Sequence, residues 1–233
     1  MRGERTIGGV PLPVSVIIPA LNEEARIAAT IDAAFAAGAA DVVVCDGGSS
    51  DGTIAVARKQ RARVITGETT RARQLNRGAK EAAHEHLIFL HADTLLPAGA
   101  AIAVMRALAA NAQFGGFELE FLEPSRRLRL AAFMINSRTK MTRCPWGDQA
   151  QFIRRETFHR LGGYADIPIM EDYDLAVRMK RAGRTTILPL RVRTSGRRFL
   201  EKGLLRTSAI NWRIVAAWRL GVDPEKLARI YRG

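Results

Sequence analysis

Val42-Val43-Val44-Cys45-Asp46-Gly47-Gly48-Ser49-Ser50-Asp51-Gly52-Thr53 changes character halfway along its length. Its apolar, β-branched start predicts a buried strand, closed by the carboxylate of Asp46. Small residues follow, Gly48 among them, and they permit a tight turn and close approach of a ligand. Thr53 then opens a helical pattern. In an open α/β sheet, ligands bind beyond the carboxyl ends of the strands, where Asp46 can accept hydrogen bonds from a base or a ribose. An Asx-turn with helix N-capping accounts for the same residues without a ligand.

Upstream, Val14-Ser15-Val16-Ile17-Ile18-Pro19-Ala20-Leu21-Asn22-Glu23-Glu24 is again strand running into helix. Pro19 is expected to stop the ladder, and Asn22 to cap a helix with acids in its first turn. Downstream, Leu87-Ile88-Phe89-Leu90 is a third strand, ending in His91-Ala92-Asp93-Thr94. Strands near 14–19, 41–45, 63–66 and 87–91 alternate with helices near 23–37, 53–59, 71–84 and 98–110. That alternation predicts an α/β fold with a Rossmann-like, mostly parallel sheet covered on both faces. The pattern then loosens into a strand over 113–122, a basic helix at about 126–140, a loop, a short strand at 150–153 and a helix over 172–182. One domain is expected, with a nucleotide-binding half at about 14–122, an irregular acceptor half at about 123–200 and basic helices at about 201–233.

The ordered set VSVIIPALNEE, VVVCDGGSSDGT, RARQLNRGAKEA, LIFLHADT, GGY and MEDYDLAVRMKRAG, lying between residues 14 and 195, resembles the family 2 glycosyltransferases, which have the GT-A fold. The resemblance implies an inverting, metal-dependent hexosyltransferase. Its donor is a UDP-, GDP- or dTDP-linked sugar and its acceptor a hydroxyl. Pro19, Ala20, Glu23, Asp46, Gly48, Arg71, Arg73, Asn76, Ala92 and Asp93 then face the donor, with Asp46 on the base and residues 71–76 as a basic segment beside it. Glu171 and Asp172 match the family's acidic pair, and Asp172 takes the role of the base that removes the acceptor proton. Trp146, Gly147, Asp148 and Gln149 line the acceptor or donor pocket, and Arg197 and Arg198 add phosphate contacts. The Gln-x-x-Arg-Trp motif of processive members is missing, so long-polymer synthesis is not expected.

The metal reading rests on His91 and Asp93. In an extended segment they point to one side while Ala92 points away. The family commonly has Asp at both positions. An imidazole at 91 shifts the preference from Mg²⁺ toward Mn²⁺, because nitrogen ligands suit Mg²⁺ poorly.

Charge is divided unevenly. Residues 1–120 carry 12 basic and 13 acidic groups, whereas residues 121–233 carry 24 and 10. Such a cationic half attracts polyanions, whether nucleic acid, anionic lipid or a phosphorylated substrate. No nucleic-acid module or set of stacking aromatics accompanies it, which disfavours a nucleic-acid-binding protein. A nucleotide-binding protein without catalysis is the second competing reading, with His91 as its motive. Two cysteines without metal or redox spacing point to a reducing, cytoplasmic setting. Met1–Pro13 lacks the apolar core of a signal peptide, and no stretch is apolar enough to span a bilayer. In Leu204–Leu220, Ile210, Ile214 and Trp218 share one stripe, with Trp212 on the other side. A basic helix of this kind fits peripheral contact with an anionic membrane on its inner face, and with it a lipid-linked acceptor.

Overall fold

The three strands that carry the polar ends lie side by side and parallel. A computed structural model describes residues 12–232, so the reading of the N-terminal segment falls, up to residue 11, outside the described residues. The first half is β1 (Leu12–Ala20), α1 (Glu24–Ala36), β2 (Ala39–Asp46), α2 (Thr53–Lys59), β3 (Arg63–Thr66), α3 (Arg71–Glu81), β4 (His86–Phe89), β5 (Thr94–Leu95) and α4 (Ala100–Ala109). The second is β6 (Phe114–Phe121), α5 (Arg126–Thr142), a 3₁₀ turn at Gly147–Gln149, β7 (Phe152–Arg154), α6 (Arg155–Arg160), α7 (Glu171–Ala182), β8 (Thr185–Thr194), α8 (Arg197–Lys202), α9 (Leu204–Arg219) and α10 (Pro224–Arg232).

One sheet runs in the order β3-β2-β1-β4-β7-β6-β8-β5. β1 pairs in parallel with β2 and β4, and β2 with β3, so Ala20, Asp46 and the chain beyond Phe89 emerge on the same edge. The short β7 is antiparallel to both β4 and β6 and joins the two halves. Val14, Val16, Ile18, Val42, Val44 and Ile88 are buried against α1 and α4. Ile17, Val43, Cys45 and Leu87 face the other way, under α3 and α7. Burial on both faces is why these strands read as continuous apolar runs rather than as alternation.

Two local expectations are corrected. Pro19 does not end β1; it pairs with Cys45, and the ladder continues to Ala20. Asn22 does not cap α1: it sits at φ 55°, Glu23 occupies the cap position without a side-chain bond, and the Asn22 amide oxygen accepts from Ser50 N–H instead. Asn22 thus ties the β1 loop to the β2 loop (its own N–H donates to Ser49 Oγ), which fixes two strand ends relative to each other. Both cysteines are free and buried, and burial pushes their thiols up to about 12 for Cys45 and about 11 for Cys144. Among the described residues, no helix is long and apolar enough to cross a membrane.

Candidate active site

Asp172 stands where a left-handed residue aims a helix start into the sheet edge. Met170, at φ 71°, turns the chain so that Glu171 and Asp172 open α7. Asp172 Oδ2 accepts the Gly147 N–H at 2.6 Å, and Oδ1 accepts the Tyr173 N–H at 2.7 Å. Each oxygen keeps a second lone pair for another proton. Gly147 is held tightly: a Cβ there would lie 2.6 Å from Arg71 Nη2, 2.7 Å from His91 Nε2 and 2.9 Å from Asp172 Oδ2. Four segments distant in sequence therefore meet around one glycine. Behind them, the fully buried Gln151 amide donates to Pro145 O and Asp172 O, both at 2.9 Å, and accepts from Tyr164 Oη.

Two cavities, of about 400 and 310 Å³, share Arg71, Trp146, Asp172, Asn211 and Tyr231 as walls. The larger also reaches His91, Asp93, Asp148, Arg138 and Arg198. A third, of about 460 Å³, meets the larger one at Asp93 and takes in Arg197.

Within the described residues, one ion pair, Arg71 with Glu171, lies among several unpaired charges in this cleft. Burial works against the Arg71 guanidinium, but Glu171 and Asp172 outweigh it and raise its pKa further. Its Nε lies 3.4 Å from Glu171 Oε1, and a terminal nitrogen meets His91 Nε2. Burial, with Arg71 beside it, holds His91 well below the usual imidazole range, so the ring is neutral and accepts. Burial raises the Glu171 carboxyl, opposed by Arg71 and assisted by Asp172. Asp148 is pushed up to about 6 by burial, with Arg138 opposing and Asp172 and Asp93 adding; its Oδ1 has no partner among the described residues. Arg138 covers the Trp146 ring at 3.7 Å, and burial lowers its pKa. Burial also raises Asp93, and it raises Glu23, where the nearby Asp93 charge adds to the effect.

Several residues expected to face ligand are already engaged by the protein. Arg73 faces outward and pairs with Asp166 at 2.7 Å, because α3 turns that side to solvent. The Asn76 amide is spent on the backbone of Tyr164, accepting its N–H and donating to its oxygen. Gln149 is fully buried and bonds to Phe117 O and Thr139 Oγ1, so it builds the floor of the turn and not a pocket wall. Asp46 is buried, and its oxygens accept from Gly48 N–H, Ser49 N–H and Ser49 Oγ, which is the Asx-turn arrangement. Ala92 is buried with its oxygen on Thr30 Oγ1. His91 to Thr94 is a closed turn and not an extended segment, since Thr94 N–H donates to His91 O; His91 and Asp93 still line the same cavity. Arg138, Asn211 and Tyr231 complete the cleft, with Gln151 behind it, and no sequence motif singled them out.

Among the described residues, no three His, Cys, Asp or Glu groups converge as a metal site. A divalent ion held by one or two protein carboxylates and substrate phosphates needs no such group. Asp93, a lightly bonded carboxylate on the cavity wall, fits that role, whereas the His91 lone pair is turned to Arg71.

The sequence profile described as glycosyl transferase family 2 matches residues 15–161. No curated protein sequence matches the chain. Among solved structures, glucosyl-3-phosphoglycerate synthase from Mycobacterium tuberculosis, in complex with Mn²⁺, UDP and glucosyl-3-phosphoglycerate, aligns with a TM-score of 0.62 and 20% identity over 95% of this chain and 86% of that one. The mannosyltransferase PcManGT from Pyrobaculum calidifontis, in complex with GDP-Man and Mn²⁺, gives 0.61 and 22% over 91% and 63%. S. aureus TarS 1-349 gives 0.62 and 16% over 79% of this chain and 60% of its own, so the chain spans less than two thirds of the length of these last two. At these identities the structures establish the fold, GT-A, with its curled and mostly parallel sheet. With the profile matched over more than half its length, the chain belongs to glycosyl transferase family 2.

Proposed function

We propose that the chain transfers a sugar from a nucleotide-sugar to an acceptor hydroxyl by a single displacement that inverts the anomeric centre, with Asp172 as the base. One observation carries this reading: the Asp172 carboxylate forms part of the wall between two cavities, and the larger of them reaches Asp93. The donor enters from the Asp93 side and the acceptor hydroxyl approaches Asp172. The Gly147 N–H holds Asp172 Oδ2 in place, and the other lone pair takes the acceptor proton as its oxygen attacks. Glu171 keeps Arg71 at the site, and that cation offsets the negative charge gathered around the reacting centre. A divalent metal, Mn²⁺ or Mg²⁺, fits at Asp93 and would neutralise the leaving diphosphate. Arg197 and Arg198 stand beside Asp93 to receive the same phosphates. Support for the donor class comes from the fold relatives, crystallised with UDP or GDP-Man and Mn²⁺. The acceptor is lipid-linked and reached from the cytoplasmic side of a membrane, a reading supported by the cationic second half.

A thermal-shift panel of UDP, GDP, dTDP and CDP, each with and without Mn²⁺ or Mg²⁺, tests the reading. One nucleotide should stabilise the protein with metal present; at a hundredfold excess over Kd the gain is about 2.7 kcal/mol. Silence of all four at millimolar concentration would favour a degenerate binding site.

A further inference from the structure

Two helices of the basic half turn apolar side chains outward, and nothing among the described residues covers them. On α5, Leu128, Ala131, Ala132 and Thr139 are buried, while Leu130, Phe133, Met134 and Met141 are 53%, 68%, 42% and 84% exposed. At 100° per residue those four occupy a single arc of the helix opposite its buried side, so α5 carries a second apolar stripe that faces solvent. On α9, the expected stripe of Ile210, Ile214 and Trp218 packs inward, and Ala209, Trp212, Arg213 and Ala216 face out. The two helices pack against each other. Met134 from α5 and Trp212 from α9 both line the 400 Å³ cavity, so the exposed stripes meet at the mouth of the cleft.

The charge on this surface has one sign. α5 holds Arg126, Arg127, Arg129, Arg138 and Lys140, α9 holds Arg206, Arg213 and Arg219, and neither helix contains an acid. Lys140 is engaged by Glu118, Arg138 by Trp146 and Arg219 by the Tyr173 hydroxyl. Arg126, Arg127, Arg129, Arg206 and Arg213 form no ion pair among the described residues. Apolar side chains between unpaired arginines match the two layers of an anionic bilayer surface, acyl chains below and phosphates above. A second copy of this chain is a poor fit, because a two-fold contact would set one arginine-rimmed face against another.

We propose that the joined outer faces of α5 and α9 seat the protein on an anionic lipid bilayer, with the cleft mouth opening at the bilayer surface. An amphiphilic acceptor then offers its head group to Asp172 without leaving the membrane, a consequence that rests on the transferase reading, whereas the docking itself does not. α5 carries the apolar insertion, and Arg219, folded onto Tyr173, takes no part.

Flotation of the full chain with phosphatidylcholine vesicles, and with vesicles also containing phosphatidylglycerol, tests the docking. The wild type should float with the mixed vesicles alone and lose binding as salt rises. Arg126→Glu with Arg129→Glu should weaken binding about tenfold or more, since each basic group near an anionic surface contributes about fivefold. Leu130→Ser with Phe133→Ser should weaken it by a similar factor while the melting temperature holds, these side chains being exposed. Equal flotation on neutral vesicles, no flotation at low salt, or indifference to both variants would overturn the proposal. A wild-type dimer that the serine variant turns into monomer would assign the face to a second copy and overturn it too. Metal-dependent nucleotide binding, measured on the same samples, separates the two readings: its loss with flotation intact sinks the transferase alone, and flotation lost with nucleotide binding intact sinks the docking alone.

Discussion

Asp148 sets the clearest pH signature at the scale of single residues. Its pKa is raised to about 6 from 3.8 by burial, so the folded protein holds a proton that the unfolded chain has released between those values. This contribution to stability is fully present below about pH 4 and is lost as the pH rises through about 6. Asp148→Asn should therefore raise the melting temperature at pH 8, by the equivalent of about 1–3 kcal/mol, and have little effect near pH 4. A thermal melt across that range decides it; equal effects at both ends would show that the carboxyl is not desolvated. Asp172→Asn should leave nucleotide binding unchanged and cut transfer roughly 10²–10⁴-fold, as expected for loss of a general base. Retained turnover would place the base elsewhere. Gly147→Ala puts a methyl within 3 Å of Arg71, His91 and Asp172, and should cost about 1–3 kcal/mol along with activity. The acidic pair was legible through its match to the family motif, since the helix dipole favours acids at a helix start whatever their role. The role of Gly147 was not, because what excludes its side chain comes from three other segments.

Among the elements, the alternating first half was readable nearly to the residue, and α2 at Thr53–Lys59 coincides with its expected span. Burial on both faces makes such strands apolar throughout, and that signal is local. β8 was missed for the opposite reason: Thr185–Thr194 carries Pro189, Arg191 and Arg193, which look like a loop. Its arginines pair across the ladder with Glu118 and Glu120 of β6, at 3.4–3.9 Å, so the charges of this strand are satisfied by a neighbour some 70 positions away in sequence. Asn76 shows the same limit. Its position suggested a nucleotide contact, yet its amide joins α3 to the loop before α7 through two hydrogen bonds of 2.8 and 2.9 Å. Asn76→Leu should lower stability by about 1–3 kcal/mol, leaving two backbone groups unpaired. Its effect on nucleotide affinity should be small, and a large loss of affinity with unchanged melting would return Asn76 to the donor site.

At the scale of the molecule, the sheet edge and the walls of the cleft come from opposite ends of the chain. β1, β2 and β4 present the edge, and α9 and α10, more than a hundred residues later, wall the cavities beside Asp172. Leu227 and Ala228 anchor α10 in the core, which brings Tyr231 into both cavities beside Asp172. The Arg198 guanidinium lies 3.6 Å from the centre of the Tyr231 ring, and two of its nitrogens have no hydrogen-bond partner among the described residues. The ring thus positions the guanidinium proposed to receive the donor phosphates, although no sequence pattern links Arg198 to residue 231. Tyr231→Ala removes that cation–π contact, worth about 0.5–2 kcal/mol, and opens the wall between the acceptor side and solvent. The expected result is a metal-dependent nucleotide affinity lowered about 2- to 30-fold, with a smaller rise in the KM for the acceptor and the melting temperature nearly kept. Steady-state kinetics with calorimetric nucleotide titration reads both quantities. Nucleotide affinity and acceptor KM both unchanged would mean that α10 serves the core alone.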